Sequence, residues 1–424
     1  MERYFIFAFV IFLAALGSQR FMLETIYSYI CIVPLIGSIL YFKKNKSVSL
    51  SLLIISLFLS VDNGAGEYSE TISFIRYIIY SWCIFFMVYG SSISLSRLLI
   101  YVSFILLPVL ITLFNIHTID ITTLIRDISI ISIIGIAFIQ TGKSVNMRSL
   151  EKSSLFLFFT VFLLLEVLNS AFYYSIENGH YLNYNSLKGL IAFSSFYLIS
   201  EKKYLAAFFV GLITIFVMLD YGTRFSLLVF LLITIFYIML EHSKRINKKF
   251  VFTFTISCLF LYLIITNLDN DTKFGFMLGQ MWISTSIQEW IVVIDPVRYY
   301  ENLMFFNRDI LSILFGNGLG SGLHDTEGYL NFVRPEQYAF TVEELNNKIY
   351  YNLHDFWVDV GLRFGLFNVI LFVFFVTNRL LKDVNKSNVN LIFLFLIFTV
   401  FYSIAGILLI SIFLLLSSNK LADE

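Results

Sequence analysis

Apolar residues fill this chain in blocks, separated by short polar breaks, and most blocks are long enough to cross a bilayer. Crossing takes about 20 mostly apolar residues in a helix. Such blocks lie near 4–18, 26–42, 47–61, 74–93, 98–114, 125–140, 154–174, 186–200, 204–220, 225–241, 250–268 and 357–378. A last block, 389–417, is too long for one helix of ordinary tilt, and Gly406 near its middle predicts two short helices joined by a tight turn. The pattern predicts an all-α polytopic membrane protein of about 12–14 transmembrane helices. The run from Tyr4 to Gly17 reads as the first span rather than a cleaved signal, because so many spans follow it.

One segment breaks the pattern. Residues 269–356 are polar, hold most of the acidic residues outside the spans, and form a single large loop. Long loops of this kind are uncommon and tend to be functional. Within it, Val297 to Leu314 carries apolar residues at Tyr300, Leu303, Met304, Ile310, Leu311 and Leu314, a spacing that predicts an amphipathic helix lying on the membrane surface. The chain therefore divides into N-terminal transmembrane helices (1–268), the large loop (269–356) and C-terminal transmembrane helices (357–424).

Charge sets the orientation. Lys43, Lys44, Lys46, Arg97, Lys143, Arg148, Lys152, Lys202, Lys203 and the clusters at 244–249 and 379–386 fall in loops on one side. The other short loops hold only Arg20, Arg76, Arg126, Lys188 and Arg224. The positive-inside rule makes the rich side cytoplasmic, so the N-terminus is cytoplasmic and the large loop extracytoplasmic. Composition agrees: 58% of the 424 residues are hydrophobic, 14% are charged, and the mean hydropathy is +0.82. A zero net charge gives no reason to expect a nucleic-acid partner. Cys31, Cys83 and Cys258 all sit in apolar blocks, with neither disulfide nor metal spacing.

Candidate chemistry lies at the outer face. Arg224, in Gly222-Thr223-Arg224-Phe225, falls between two spans. A lone interfacial Arg is more often a snorkelling anchor. Its sharper reading is a phosphate ligand, because a guanidinium fork matches phosphate oxygens and keeps its charge. Arg298 opens the amphipathic helix, and by itself reads as part of a solvated face or an ion-pair partner of Asp295 or Glu301. Arg76 and Arg126, at the outer ends of their spans, are weaker candidates of the same kind. Gly316-Asn317-Gly318-Leu319-Gly320-Ser321-Gly322 lacks the strand and helix of a dinucleotide fingerprint and reads as a tight backbone turn. His354 and Asp355 stand at the start of the next span, Asp355 where it would compensate a helix dipole, and Gly361 and Gly365 are spaced for close helix contact. His117, His180, His242 and His324 have no comparable setting, and no spacing of His, Asp and Glu makes a metal site.

Three patches in this order resemble the O-antigen polymerase and O-antigen ligase family of bacterial membrane glycosyltransferases. They are GTRFSLL (Gly222 to Leu228), RYYENLMFFNRDILSILFGNGLGSG (Arg298 to Gly322) and HDFWVDVGLRFG (His354 to Gly365). The resemblance covers roughly 180–375, and Asp355 stands where the family usually carries Asn. It implies a metal-independent, cofactor-free glycosyltransferase of the bacterial cytoplasmic (inner) membrane. Its substrate would be an undecaprenyl-diphosphate-linked oligosaccharide, and its partners a chain-length regulator and a flippase of the same pathway. Arg224 and Arg298 would bind the diphosphate and His354 would act at the acceptor hydroxyl, with Asp355, Gly318, Gly320, Arg126 and Arg76 in support. Polymerisation of repeat units into O-antigen or capsular polysaccharide is preferred, because the loop is aromatic and acidic rather than basic. The alternatives are a ligase that transfers glycan to lipid A core, and a polysaccharide flippase or transporter. The last is disfavoured because the two halves share no pattern and the mid-span ionisable candidates are few, Glu166 and Asp220.

Overall fold

The computed structural model describes residues 2–18, 29–60, 70–89, 94–139, 153–162 with 164, 165 and 168, then 280, 283, 284, 286–334, 340–351, 353–372 and 374. These residues are mostly helical. The spans expected at 186–200, 204–220, 225–241, 250–268 and 389–417 lie outside them, as do 169–174 at the end of the span expected at 154–174, and Arg224.

The N-terminal helices are α1 (Glu2–Ser18), α2 (Ile32–Tyr41), α3 (Lys46–Leu59), α4 (Glu70–Val88), α5 (Leu95–Phe114), α6 (Ile121–Ile139) and α7 (Ser153–Phe162). Among them, α5 is long and apolar enough to cross a membrane, and several others are shorter apolar helices. Asn45 begins α3 by accepting the Ser47 and Val48 amides, which turns the chain back against α2. Small residues then bring the two helices close. Ser49 donates to the Ser38 carbonyl at 2.6 Å and Ser56 to the Cys31 carbonyl at 2.7 Å, so the pair runs antiparallel with every buried hydroxyl used. A core of Leu13, Ile55, Ile79, Ile130 and Phe158 joins α1, α3, α4, α6 and α7, with Phe58 meeting Phe158, Phe159 and Phe162 edge-on.

The segment expected to face outward, called the outer unit below after that expectation, has its own core. It comprises α8 (Ile287–Ile294), α9 (Pro296–Phe306), α10 (Ile310–Phe315), α11 (Val342–Asn347) and α12 (Phe356–Phe364). Strand β1 (Leu323–His324) pairs antiparallel with β2 (Ile349–Tyr350). Its boundaries are written locally. Asp295 caps α9 with Pro296 at the first helical position, Asp309 caps α10 through the Ser312 amide, and Thr341 and Glu344 form a capping box on α11. Met304, Phe305, Leu323, Tyr350, Leu353 and Leu362 bury against one another beneath these elements.

The single helix expected over Val297–Leu314 is two. α9 ends at Phe306 and α10 starts at Ile310, because Asp309 offers its carboxylate to a new helix start rather than continuing the old one. In α9, Met304 and Phe305 are buried in the core of this unit, whereas Ile310 and Leu311 on α10 are exposed. The C-terminal span expected at 357–378 is also interrupted. Gly365, at φ +78°, closes α12 before helix resumes over 366–372. Gly365 therefore serves as a break packed on Leu314 and Phe315, while Gly361 lies against the Phe305 ring.

Candidate functional site

The glycine-rich turn is the joint between the outer unit and the N-terminal helices. Asn317 and Gly318 donate their amides to the Leu362 and Arg363 carbonyls at the end of α12. Leu319 donates to Thr112 Oγ1 at 2.7 Å and Gly320 to Asp127 Oδ2 at 3.0 Å. Thr112 serves two roles, since its hydroxyl also donates to the Pro108 carbonyl within α5. Gly318 and Gly320 have positive φ, and an added Cβ would meet Thr112 on α5, or Ile119 just before α6 and Leu124 on it, at under 3 Å. Four successive amides are thus committed to the protein itself, which is the arrangement of a packing turn and not of an anion cradle.

Below this turn lies a buried charge cluster. Arg363, 0% exposed, meets Asp127 Oδ2 through Nε at 2.5 Å, Asp359 through Nη1, and the Tyr351 carbonyl through Nη2 at 2.7 Å. Arg126 joins from the other side, 3.1 Å from Asp127 Oδ1 and 3.3 Å from the same Tyr351 carbonyl. Two guanidinium groups and two carboxylates therefore fix the backbone three residues before His354. Arg126 acts here as a clamp behind the 351–354 segment. Arg76 instead ties α4 to the end of α3, through the Ser60 carbonyl at 2.5 Å.

His354 and Asp355 are received by one turn of α9. Glu301, 0% exposed, lies 2.7 Å from His354 Nδ1 and accepts the His354 amide through both oxygens at 3.2 and 3.0 Å. The next residue, Asn302, donates to Asp355 Oδ2 and to the Arg298 carbonyl. Arg298, which leads the same turn, pairs with Asp295 at 3.6 Å. Arg298, His354 and Asp355 are thereby brought together, and Asp355 takes a side-chain bond from Asn302 instead of capping α12. The Phe340 ring stands edge-on to the imidazole, 5.2 Å between centroids, and the His354 side chain keeps 33% exposure.

This setting alters proton affinity. Burial raises the Glu301 carboxyl above its ordinary value, against the opposing pull of the His354 charge and hydrogen bonds. For His354, burial disfavours the imidazolium, yet the charge and hydrogen bond of Glu301 outweigh it and the ring titrates above 6.5. Burial likewise raises Asp355, with Arg298 and Asn302 acting the other way. With Nδ1 held by Glu301, Nε2 is the ring nitrogen left to exchange a proton. A buried carboxylate behind a partly exposed imidazole is the arrangement that orients a general base.

Three partners escape a reading of the sequence. Glu301 stands three residues after Arg298 and looks like its ion-pair partner, but Arg298 turns to Asp295 and Glu301 to His354. Arg363 had a usable signal, its i,i+4 spacing from Asp359 on a helix. Asp127, from a distant helix, had none. No family model, curated protein or solved structure matches the chain.

Proposed function

We propose that this chain is a polytopic inner-membrane glycosyltransferase that polymerises lipid-diphosphate-linked oligosaccharide repeat units at the outer face. The observation that carries the reading is the Glu301–His354 pair with Arg298 on the same helical turn, in the one large polar segment of an otherwise apolar chain. The likeness of the three sequence patches to the O-antigen polymerase and ligase family supplies the substrate class.

The chemistry follows from the groups present. His354 Nε2 takes the proton of an acceptor sugar hydroxyl as its oxygen attacks the anomeric carbon of the donor. Glu301 holds Nδ1–H, fixing the tautomer, and stabilises the imidazolium that forms. The bond from the anomeric carbon to the lipid diphosphate breaks, and the diphosphate leaves with its electron pair. Arg298, with Arg224 carried over from the sequence resemblance, opposes that developing negative charge. The product is a glycan longer by one repeat and a free lipid diphosphate. The acidic, aromatic outer segment suits a sugar acceptor better than the phosphorylated core that a ligase would use.

The test is glycan length on gels from cells lacking the gene, complemented with wild type, Arg224→Ala, Arg298→Ala or His354→Ala at matched membrane levels. The reading expects single-repeat glycan in the null strain and a ladder restored by wild type alone. Long glycan retained on the lipid carrier in the null strain would make the protein a ligase. Full ladders from all three variants would sink the assigned site and favour a transporter.

A further inference from the structure

Helix α10 is amphipathic in the wrong sense for a loop in water. Ile313 packs inward against the outer core, while Ile310 (71% exposed), Leu311 (63%), Leu314 and Phe315 point outward, with Phe306 exposed just before them. Positions i, i+1, i+4 and i+5 share one helix face, and here that face carries no polar side chain. Soluble surfaces rarely expose apolar patches of this kind without a partner.

The neighbours say what the partner is. At one end, the turn after α10 is pinned to the outer end of α5: Leu319 bonds Thr112, and Asn115 donates to the Asn317 carbonyl at 3.2 Å. That end of α5 exposes Leu113 and Phe114 (84%). On its other side, α10 packs against Gly365, where an added Cβ would lie 2.2 Å from the Leu314 carbonyl oxygen. The helical stretch that starts there exposes Phe367 and Ile370. The apolar face of α10 is therefore bracketed by the bare apolar surfaces of two longer elements. Polar groups collect at its N-terminal edge, where Arg308 bonds Asn317 and Asp309 caps the helix.

We propose that α10 is an interfacial helix whose Ile310–Leu311–Leu314–Phe315 face, with Phe306 at the end of α9 beside it, sits among the acyl chains of the outer leaflet, continuous with the lipid-facing surfaces of α5 and residues 366–372. This rests on the membrane reading above. Seated so, α10 fixes the height of the outer unit. α9 leads directly into it, and the turn that follows is bonded to α12, so Arg298 and the Glu301–His354 pair are held at the level of lipid head groups. A lipid-linked diphosphate lies at that level, whereas a freely mobile loop would have to find it. Helices of this kind bury their apolar side about 5–10 Å into the interface.

The experiment places a nitroxide at Leu311→Cys, and separately at Ile310→Cys, in full-length protein whose native cysteines are serine, reconstituted in phospholipid nanodiscs. Collision rates with oxygen, which partitions into lipid, are compared with those of a water-soluble nickel chelate. Leu106→Cys on the exposed face of α5 serves as the lipid control and Glu343→Cys on α11 as the water control. The inference expects oxygen to dominate at 310 and 311 as at 106, and nickel to dominate at 343. Nickel dominance at 310 and 311 with a lipid-like 106 overturns the inference alone. Nickel dominance at 106 as well removes the membrane reading beneath it. An immobile label reached by neither reagent means that a protein covers the face, and also overturns it. Should the cysteine-free chain not fold, p-benzoylphenylalanine at 311 in the native background reads the same question: photo-crosslinks to phospholipid support the inference, and their absence rejects it.

Discussion

Replacing Arg363 by Met should loosen the whole joint between the outer unit and the N-terminal helices. Arg363 is the cation for two buried carboxylates, Asp127 on α6 and Asp359 on its own helix, and it holds the Tyr351 carbonyl as well. Methionine fills much of the same space but leaves both carboxylates buried with less compensation. Arg126 and the Gly320 amide still reach Asp127 and blunt the loss at that side. Breaking a buried pair by removing one partner costs about 3–5 kcal/mol. At roughly 1.4 kcal/mol per decade, that multiplies the opening equilibrium by a hundredfold or more. Hydrogen exchange followed by mass spectrometry reads it directly, in peptides covering 316–322 and 353–365, whose amides close the joint. Arg363→Lys keeps one charge without the fork and should fall between wild type and Met. Combining Arg363→Met with Asp359→Leu replaces that ion pair by apolar atoms and should recover part of the protection. Exchange in Arg363→Met within about threefold of wild type, a change under roughly 1 kcal/mol, would refute the reasoning.

The other predictions concern the base and the turn. Because Glu301 raises the proton affinity of His354 and a general base must be neutral, the rate of the proposed polymerisation should rise with pH through a value above 6.5. In Glu301→Gln the burial that disfavours the imidazolium remains without the compensating charge. The acid limb of the pH–rate profile in reconstituted membranes should therefore move to lower pH, with a smaller plateau, and an unmoved limb would reject the pairing. The same sign governs stability: the contribution of His354 is complete below 6.5 and is lost as pH rises through its folded value, so His354→Ala should flatten that fall in outer-unit exchange. Gly320→Ala places a Cβ 2.6 Å from Ile119 Cγ2 and 2.9 Å from Leu124 Cβ, on top of about 1–2 kcal/mol for a left-handed backbone. Gly328→Ala has a similar φ but meets only the Asn331 side chain, which can swing away, so the yield of folded protein should fall further at 320 than at 328.

Much of the local structure is legible in the chain. The helices α3, α5 and α6 fall close to the apolar blocks at 47–61, 98–114 and 125–140, because block length and hydropathy are properties of consecutive residues. The helix starts at Asn45, Asp295, Asp309 and Thr341 are equally local, since a cap reaches only two or three residues ahead. The division of Val297–Leu314 into two helices was within reach as well, because Asn307-Arg308-Asp309 interrupts the apolar spacing with a capping residue.

What a residue touches across the fold is a different matter. Arg298, His354 and Asp355 stood out in the sequence as polar groups at an apolar boundary, but nothing in their spacing shows that Glu301 faces the histidine 53 positions away. The choice between Asp295 and Glu301 as the partner of Arg298 turns on which side of α9 meets the start of α12, and packing of Phe305 under Gly361 decides that. Asp127 meets Arg363 across 236 positions for the same kind of reason. From the sequence by itself come the apolar blocks, the large polar segment and a short list of chemically able side chains, because hydrophobicity, charge and capping act along the chain. The tertiary structure alone decides which of those side chains share a proton or a charge, because electrostatic pairing depends on distance and burial, and both arise only when separate helices pack.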